Sequence, residues 1–278
     1  AVRLIQHGLK PIVLEKRPFL GGRAYSFKDQ ETGIEIDNGQ HVFVGACKQF
    51  QKYITDIGVD DQVTLDERLA FPVIKREQIS WIRARKLPSI LSNLSMLLGY
   101  RHIGISGKIR ILSGLLSIKR TSLEIQHDQV TFYDWLKVHH QNKETIEHFW
   151  NLIILPSLND NINSVSAYTG ISLFKVALLG PTQNAAMGFP LIGLSSLVGE
   201  SARNFIEGEG GAIRTGFNVE SLHMESGQVI GVRTQDGELV KGDAVISALP
   251  AAEMTSLLND SMDVQHDFFK PAESLQTA

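Results

Sequence analysis

The chain has 278 residues, 43% of them apolar and 21% charged, ordinary proportions for a soluble globular protein with room for one large or two medium domains. Its single cysteine, Cys47, excludes an internal disulfide and fits a reducing compartment. No run of about 18 apolar residues exists, which excludes a membrane-spanning helix. The net charge of −3 is unevenly spread: residues 75–120 hold ten Lys or Arg and one acid, Glu77, a balance of +9, so the remainder carries −12. A basic island in an acidic protein points to an anionic partner surface.

Residues Ala1 to His7 read as the last turns of a helix, with Gly8 as its C-cap. Pro11 to Glu15 is a strand, an apolar run closed by an acid. A helix without a start, followed by a strand without an earlier partner, is the pattern expected of a fragment. Thr32 to Val44 alternates, carries glycines and reads as an extended segment crossing a site. Ala46 to Ile57 has helical spacing and stops at Gly58. Arg68 to Lys75 and Gln78 to Arg83 read as two short strands joined by a turn.

The middle of the chain is helical. Leu87, Ile90, Leu91, Leu94, Leu97 and Leu98 form a broad apolar face, and a second helix from Ile105 to Ile118 carries Ile109, Leu112, Leu115 and Leu116. Thr131-Phe-Tyr-Asp134 resembles a capping box opening a helix to about His140. Lys143 to Leu155 is a further helix, stopped at Pro156, and Ser195 to Ile206 another, preceded by Gly193. The last part turns to strands: Ala212–Thr215, Asn218–Met224, Gln228–Thr234 and Glu238–Ala248, around the turns Glu225-Ser-Gly227 and Gln235-Asp-Gly237. Ala244 to Leu249 is a continuous apolar run, the pattern of a buried parallel strand.

Strands flanking a helical middle predict an α/β protein with a discontinuous nucleotide-binding lobe, residues 1–66 and 206–260. A largely helical lobe, 67–205, is inserted between them, and 261–278 forms a polar tail. Within the first lobe Glu15 stands where a dinucleotide-binding sheet places the acid that holds ribose hydroxyls, with Lys16 beside it. Gly21 and Gly22 allow backbone to approach a pyrophosphate, and Arg23 can neutralise phosphate charge; Ala24 completes the run. The G-x-G-x-x-G loop that should stand about 20 residues upstream of the acid falls outside the chain. Gly39, in Asp37-Asn-Gly-Gln-His41, lets main chain pass a flat ring. Asp37 and His41 are the candidate catalytic pair, against plain structural roles for both. Val219 is the candidate for main-chain contact with an adenine edge, against a core valine.

Other chemistries find no support. The nine histidines form no H-E-x-x-H and no Cys-His spacing, so no metal site is expected. There is no G-x-S-x-G elbow and no Walker motif. The basic island lacks an aromatic-interleaved or zinc-finger pattern, so nucleic acid is not expected. With leucine-rich helices it fits a membrane surface better, the alternative being a basic solvated face over an ordinary helical core.

Glu15, the Gly21-Gly-Arg-Ala24 run and the Val245-Ile-Ser-Ala-Leu-Pro250 exit together resemble the amine-oxidase and phytoene-desaturase superfamily of FAD enzymes. Ile36-Asp-Asn-Gly-Gln-His-Val-Phe43, Asp134-Trp-Leu136 with Phe149-Trp150 through Leu158-Asn159, and Gly188-Phe-Pro-Leu-Ile-Gly-Leu-Ser195 resemble its squalene-associated branch, the hydroxysqualene dehydroxylases. The resemblance covers residues 1–258. It implies a Rossmann-like FAD lobe whose N-terminal glycine loop is missing, a long apolar tunnel, and hydride delivery to an allylic carbon of hydroxysqualene, whose hydroxyl leaves as water. Carotenoid desaturation is related chemistry in the opposite redox sense, taking hydride from an allylic carbon, and a non-catalytic lipid-binding protein is the alternative outside enzymes. A long-chain isoprenoid substrate implies a cytoplasmic protein held peripherally on the inner face of the membrane through segment 75–120.

Overall fold

A computed structural model of the chain describes residues 1–39, 41–87, 90–261, 269, 271 and 275. The expected polar tail therefore lies almost wholly outside the described residues. In chain order the elements are α1 (Val2–Gln6), β1 (Ile12–Glu15), β2 (Ser26–Lys28), β3 (Glu35–Asp37), β4 (Phe43–Val44), α2 (Lys48–Asp56), β5 (Val63–Leu65), β6 (Ala70–Lys75), β7 (Gln78–Arg83), α3 (Ile90–Leu94), α4 (Met96–Gly99) and α5 (Ile105–Arg120). There follow α6 (Phe132–Val138), α7 (Lys143–Thr145), α8 (Asn151–Leu158), α9 (Ala167–Ala177), β8 (Met187–Pro190), α10 (Ser201–Gly208), β9 (Ala212–Thr215), β10 (Val219–Glu225), β11 (Gln228–Thr234), β12 (Leu239–Lys241) and α11 (Ala251–Ser261). Helical turns with π geometry join α7 to α8 at Ile146–Trp150 and precede α10 at Ser195–Glu200. No helix of the described residues is long and apolar enough to cross a membrane.

The chain divides into two compact units. The first comprises 1–38, 56–58 and 193–278, the second 39–55 and 59–192. This differs from the expected division at 66/67 and 205/206. Residues 39–55 and 59–66 fall in the second unit because β4 and β5 both pair with β8, on its two sides. Residues 193–205 fall in the first because the π turn continues into α10, which packs on α1 and β9.

In the first unit β1 and β9 are parallel, from Ile12 opposite Ala212 to Glu15 opposite Thr215. A parallel pair needs a crossover, and here that crossover contains the whole second unit. β2 and β3 form a hairpin whose turn is closed by Asp29, which accepts from the Thr32 amide at 2.9 Å and hydroxyl at 2.6 Å. β10, β11 and β12 form an antiparallel sheet around the turns at Gly227 and Gly237, with α11 against β10. One strand expectation fails. Residues 244–249 are neither strand nor buried, with Ile246 71% exposed. A continuous apolar run is buried only between neighbouring strands, and among the described residues β1 pairs with β9 alone.

The second unit holds the larger core. Trp150, Tyr100, Phe132, Phe149 and Phe174 are fully buried. Phe132, Phe149, Trp150 and Phe174 meet at centroid distances from 4.8 to 6.2 Å, Phe132 stacked on Phe174 and the other pairs edge-on or tilted, geometries aromatic quadrupoles favour. The Trp150 indole N–H donates to Gln141 Oε1 at 2.9 Å, and Gln141 Nε2 to the Arg110 carbonyl at 2.7 Å. The buried Trp150–Gln141 pair is therefore satisfied. The Thr131 cap forms as expected, its hydroxyl accepting the Asp134 amide at 3.1 Å. Pro156 does not stop its helix. It sits inside α8, which runs to Leu158 and ends at Asn159 with φ 52°.

The segment expected to carry a leucine face is partly inside out. Ser92 and Asn93 in α3 and Ser95 before α4 are buried, while Leu91 and Leu98 are exposed. The buried hydroxyls are satisfied locally: Ser92 Oγ donates to the Arg85 carbonyl at 2.6 Å, and Ser95 Oγ accepts the Arg85 amide at 2.7 Å. Asn93 Nδ2 donates to the Leu178 carbonyl at 2.9 Å.

Candidate functional site

β1 and β9 end side by side, and the backbone beyond them is laced together. Phe217 N donates to the Glu15 carbonyl and Gly216 N to the Arg17 carbonyl, both at 2.9 Å. Glu15 is half-buried, and its Oε1 accepts the Arg17 amide at 2.8 Å. Among the described residues its Oε2 takes no hydrogen bond, so one carboxylate oxygen is open to a ligand hydroxyl. Lys16 is exposed at this edge.

A shallow cleft of about 350 Å³ lies where the strands end, lined by Gly216, Phe217, Asn218, Thr234, Gln235 and Asp236. Its floor is fixed from several sides. Asn218 Nδ2 donates to Gln235 Oε1 at 3.1 Å. The Arg214 guanidinium lies 4.8 Å from the centre of the Phe217 ring and pairs with Glu238 at 2.7 Å. The Thr234 hydroxyl donates to the Asp236 carboxylate, which holds that acid below the usual carboxylate range. Val219 stands next to this cleft at the start of β10, half-buried and paired with Thr234. The sequence pattern singles out Val219 but presents Gln235-Asp-Gly237 only as a turn. The signal hidden in that turn is its place beside an exiting parallel strand, where backbone edges face a cleft.

The glycine run forms a tight reversal. Gly21 and Gly22 have φ of +103° and +59°, and Ala24 N donates to the Gly21 carbonyl at 2.9 Å. A Cβ on Gly21 would lie 2.4 Å from the Ala24 oxygen, so glycine is required there for space as well as for φ. Arg17 Nη1 reaches back to the Gly22 carbonyl at 3.1 Å, so Arg17 is part of the loop's own framework. Arg23 is exposed, and its carbonyl accepts Asn38 Nδ2 at 3.0 Å.

Asp37 and His41 fall in different units. Asp37, in the first, ends β3, and its Oδ1 accepts the Ser26 hydroxyl at 2.7 Å and the Leu194 amide at 3.0 Å. Ser26 and Ser195 are further joined by Ser26 N to Ser195 Oγ at 2.7 Å and Ser195 N to Ser26 Oγ at 3.1 Å. In the second unit, Gly39 has φ +86° and its carbonyl lies 2.8 Å from His41 Nδ1. This contact orients the imidazole, which is exposed.

The first unit thus brings together Glu15, the Gly21-Gly22 reversal and the cleft beside Val219. An open carboxylate oxygen, a loop without side chains and a shallow cleft edged by backbone are what a ribose, a pyrophosphate and a flat heterocycle respectively need. The profile of the family described as flavin containing amine oxidoreductase matches residues 1–277. The chain is 25% identical over 292 residues to the 15-cis-phytoene desaturase of Solanum lycopersicum, covering 98% of this chain and 47% of that protein. It is 23% identical over 265 residues to the hydroxysqualene dehydroxylase of Zymomonas mobilis, covering 94% and 61%. It thus spans about half the length of the curated relatives it matches. Among solved structures, an oxidoreductase from Methanosarcina mazei aligns with a TM-score of 0.70 at 18% identity, covering 99% of this chain and 62% of that one. The α/β architecture built around β1 and β9 is shared with that solved structure, and the chain belongs to the flavin containing amine oxidoreductase family.

Proposed function

We propose that the chain is part of an FAD-dependent oxidoreductase acting on a squalene-type isoprenoid. The reaction proposed is reductive removal of the hydroxyl of hydroxysqualene to give squalene. The observation that carries the cofactor half is the convergence of Glu15, Gly21-Gly22 and the cleft beside Val219 at one end of the β1–β9 pair. Glu15 Oε2 would accept from ribose hydroxyls. The amides and exposed Arg23 of the glycine run would face the pyrophosphate, and backbone beside Val219 would pair with the adenine edge. FAD, when bound, supplies hydride transfer to or from carbon. Asp37 acts here as a positioning residue, because it ties the β2–β3 hairpin to the start of the Ser195–Glu200 turn.

The substrate half rests on the second unit's outward surface. β6 and β7 pair Pro72 with Trp81 and Ile74 with Ile79, and all four of these side chains are exposed. Ser80 and Ile82 turn inward between them. A sheet face of this kind suits a hydrocarbon chain better than a polar amine. The likeness to plant phytoene desaturases favours a second reading, allylic hydride removal from a carotenoid precursor. A product assay with the complete gene product, offered hydroxysqualene with reduced flavin and phytoene with an electron acceptor, separates the two. Squalene formation supports the first and a desaturated product the second. Turnover of neither, with simple amines oxidised instead, overturns both.

A further inference from the structure

α5 has two apolar faces, and only one is covered. Ile111, Leu115 and Ile118 are buried with Gly107 and Gly114 on the inner face. Ile105, Ile109, Leu112 and Leu116 are exposed, Ile105 by 79% and Ile109 by 62%. At 100° per residue these four lie within about 60° of arc, centred about 145° around the helix from the buried set. They form a straight apolar ridge about three turns long on the outside of the helix. Lys108 and Lys119 flank it on one side and Arg120 on the other. From residue 78 to residue 123 the sequence contains no Asp or Glu.

An acid does face α5: Glu144 accepts the Gly104 amide at 3.2 Å at the helix start and approaches Gly107 on the inner face. Arg110 is turned away to the His140 carbonyl at 2.8 Å. The inside-out α3–α4 segment adds Leu91 and Leu98, the latter 63% exposed, with Arg101 close behind in sequence. A solvated helix face would not pair exposed Ile and Leu with flanking cations alone. A protein partner of ordinary composition would supply no reason for the lack of acids between residues 78 and 123.

We propose that the outer ridge of α5, Ile105, Ile109, Leu112 and Leu116 with Lys108, Lys119 and Arg120, docks into the headgroup region of an anionic lipid bilayer. The helix lies in the interface plane, its apolar ridge among the upper acyl chains and its cations among anionic headgroups. The binding requires neither flavin nor substrate, so it stands or fails separately from the redox reading.

The test is flotation of the purified protein with phosphatidylcholine vesicles, with and without about 30% phosphatidylglycerol. Wild-type protein is expected to float with the anionic vesicles and to be released by high salt. The double variants Ile109→Ser with Leu112→Ser, both exposed, and half-buried Lys108→Gln with exposed Lys119→Gln, should each weaken binding about tenfold or more at unchanged melting temperature. As a second measurement that tolerates failure of those variants, Leu116→Trp should add a fluorescence signal that brominated lipid quenches. Equal binding to neutral and anionic vesicles, retention by the folded serine variant, or an added Leu116→Trp signal that brominated lipid leaves unquenched overturns the proposal. So does a dimer in light scattering that the serine variant dissociates, which would assign the ridge to a second copy of the chain.

Discussion

Asp37 Oδ1 accepts the backbone amide of Leu194 at 3.0 Å, a bond between residues 157 positions apart in the chain. The same oxygen takes the Ser26 hydroxyl, so one carboxylate closes the β2–β3 hairpin onto the residue before the Ser195–Glu200 turn. Removing it strands a half-buried N–H and a hydroxyl, and an unmet donor of this kind costs about 1–3 kcal/mol. Asp37→Ala should therefore lower the free energy of unfolding by about that amount in urea titration. Asp37→Asn, which keeps an acceptor oxygen, should lose less than half as much. An unchanged midpoint for Asp37→Ala would show that the contact contributes nothing to stability.

Glu15 offers a cleaner separation of folding from binding. Its Oε1 is committed to the Arg17 amide, while Oε2 is open. Glu15→Gln retains an acceptor for Arg17 but removes the charge. A hydrogen bond to a charged group contributes about 1.5–3 kcal/mol, so flavin affinity should fall roughly 10- to 100-fold. The melting temperature of the flavin-free protein should hardly move. Gly21→Ala should fail in both measurements, because its Cβ meets the Ala24 oxygen at 2.4 Å in a backbone conformation with φ +103°. Flavin titration followed by fluorescence, alongside thermal melts, reads both variants.

Much of this organisation is legible in the residues, and the gaps have physical causes. The strand β1, the hairpin β6–β7, the Thr131 cap and the acid closing β1 are all local, so period and capping chemistry reveal them. β2, β4, β5 and β8 are two to four residues long and carry too few residues for a period to register. α9 is absent from the sequence expectations, although Ala167, Ile171, Phe174 and Leu178 are spaced as a buried stripe and Ser166 caps it from its hydroxyl at 3.2 Å. The polarity of α3–α4 cannot be read from composition, because Ser92 and Ser95 become inner residues only through bonds to the Arg85 backbone. Residues 244–249 mislead in the opposite way, since apolar content expresses burial only where a neighbour exists. Of the candidate site, Glu15 and the glycines are signalled locally. The bond from Asp37 to Leu194 is a tertiary contact that no spacing encodes.

Gly170 tests the packing of the second unit. A Cβ there would lie 2.4 Å from the Phe132 ring, and Phe132 is fully buried against Trp150 and Phe174. The ring is held between Trp135, Trp150 and Phe174. Gly170→Ala, despite a better helix propensity, should destabilise the protein by about 1–3 kcal/mol. A control substitution at an exposed site of the same helix, Val176→Ala, should change stability by only a few tenths. If Gly170→Ala melts at or above the wild-type temperature, the Phe132–Trp150–Phe174 cluster is looser than its geometry indicates.

His148 gives the second unit a pH dependence whose sign follows from its surroundings. Burial lowers its pKa from the ordinary 6.5, with the Lys75 ammonium as the next contribution; Glu147 and Glu144 oppose the shift, and His102 adds to it. Lys75 Nζ lies 2.7 Å from His148 Nε2, a contact that requires the imidazole to be neutral and accepting. The folded pKa is thus below the unfolded one. The stabilisation is fully present above about 6.5 and is lost as the pH falls through the folded value. Between about pH 7.5 and 5.5 the wild-type melting temperature should therefore drop more than that of His148→Gln, which preserves an acceptor for Lys75 but cannot titrate. His139, lowered by burial and by His140, contributes in the same direction and remains in both proteins, so the difference between them isolates His148. A variant that loses stability in parallel with wild type over this interval would place the acid sensitivity elsewhere.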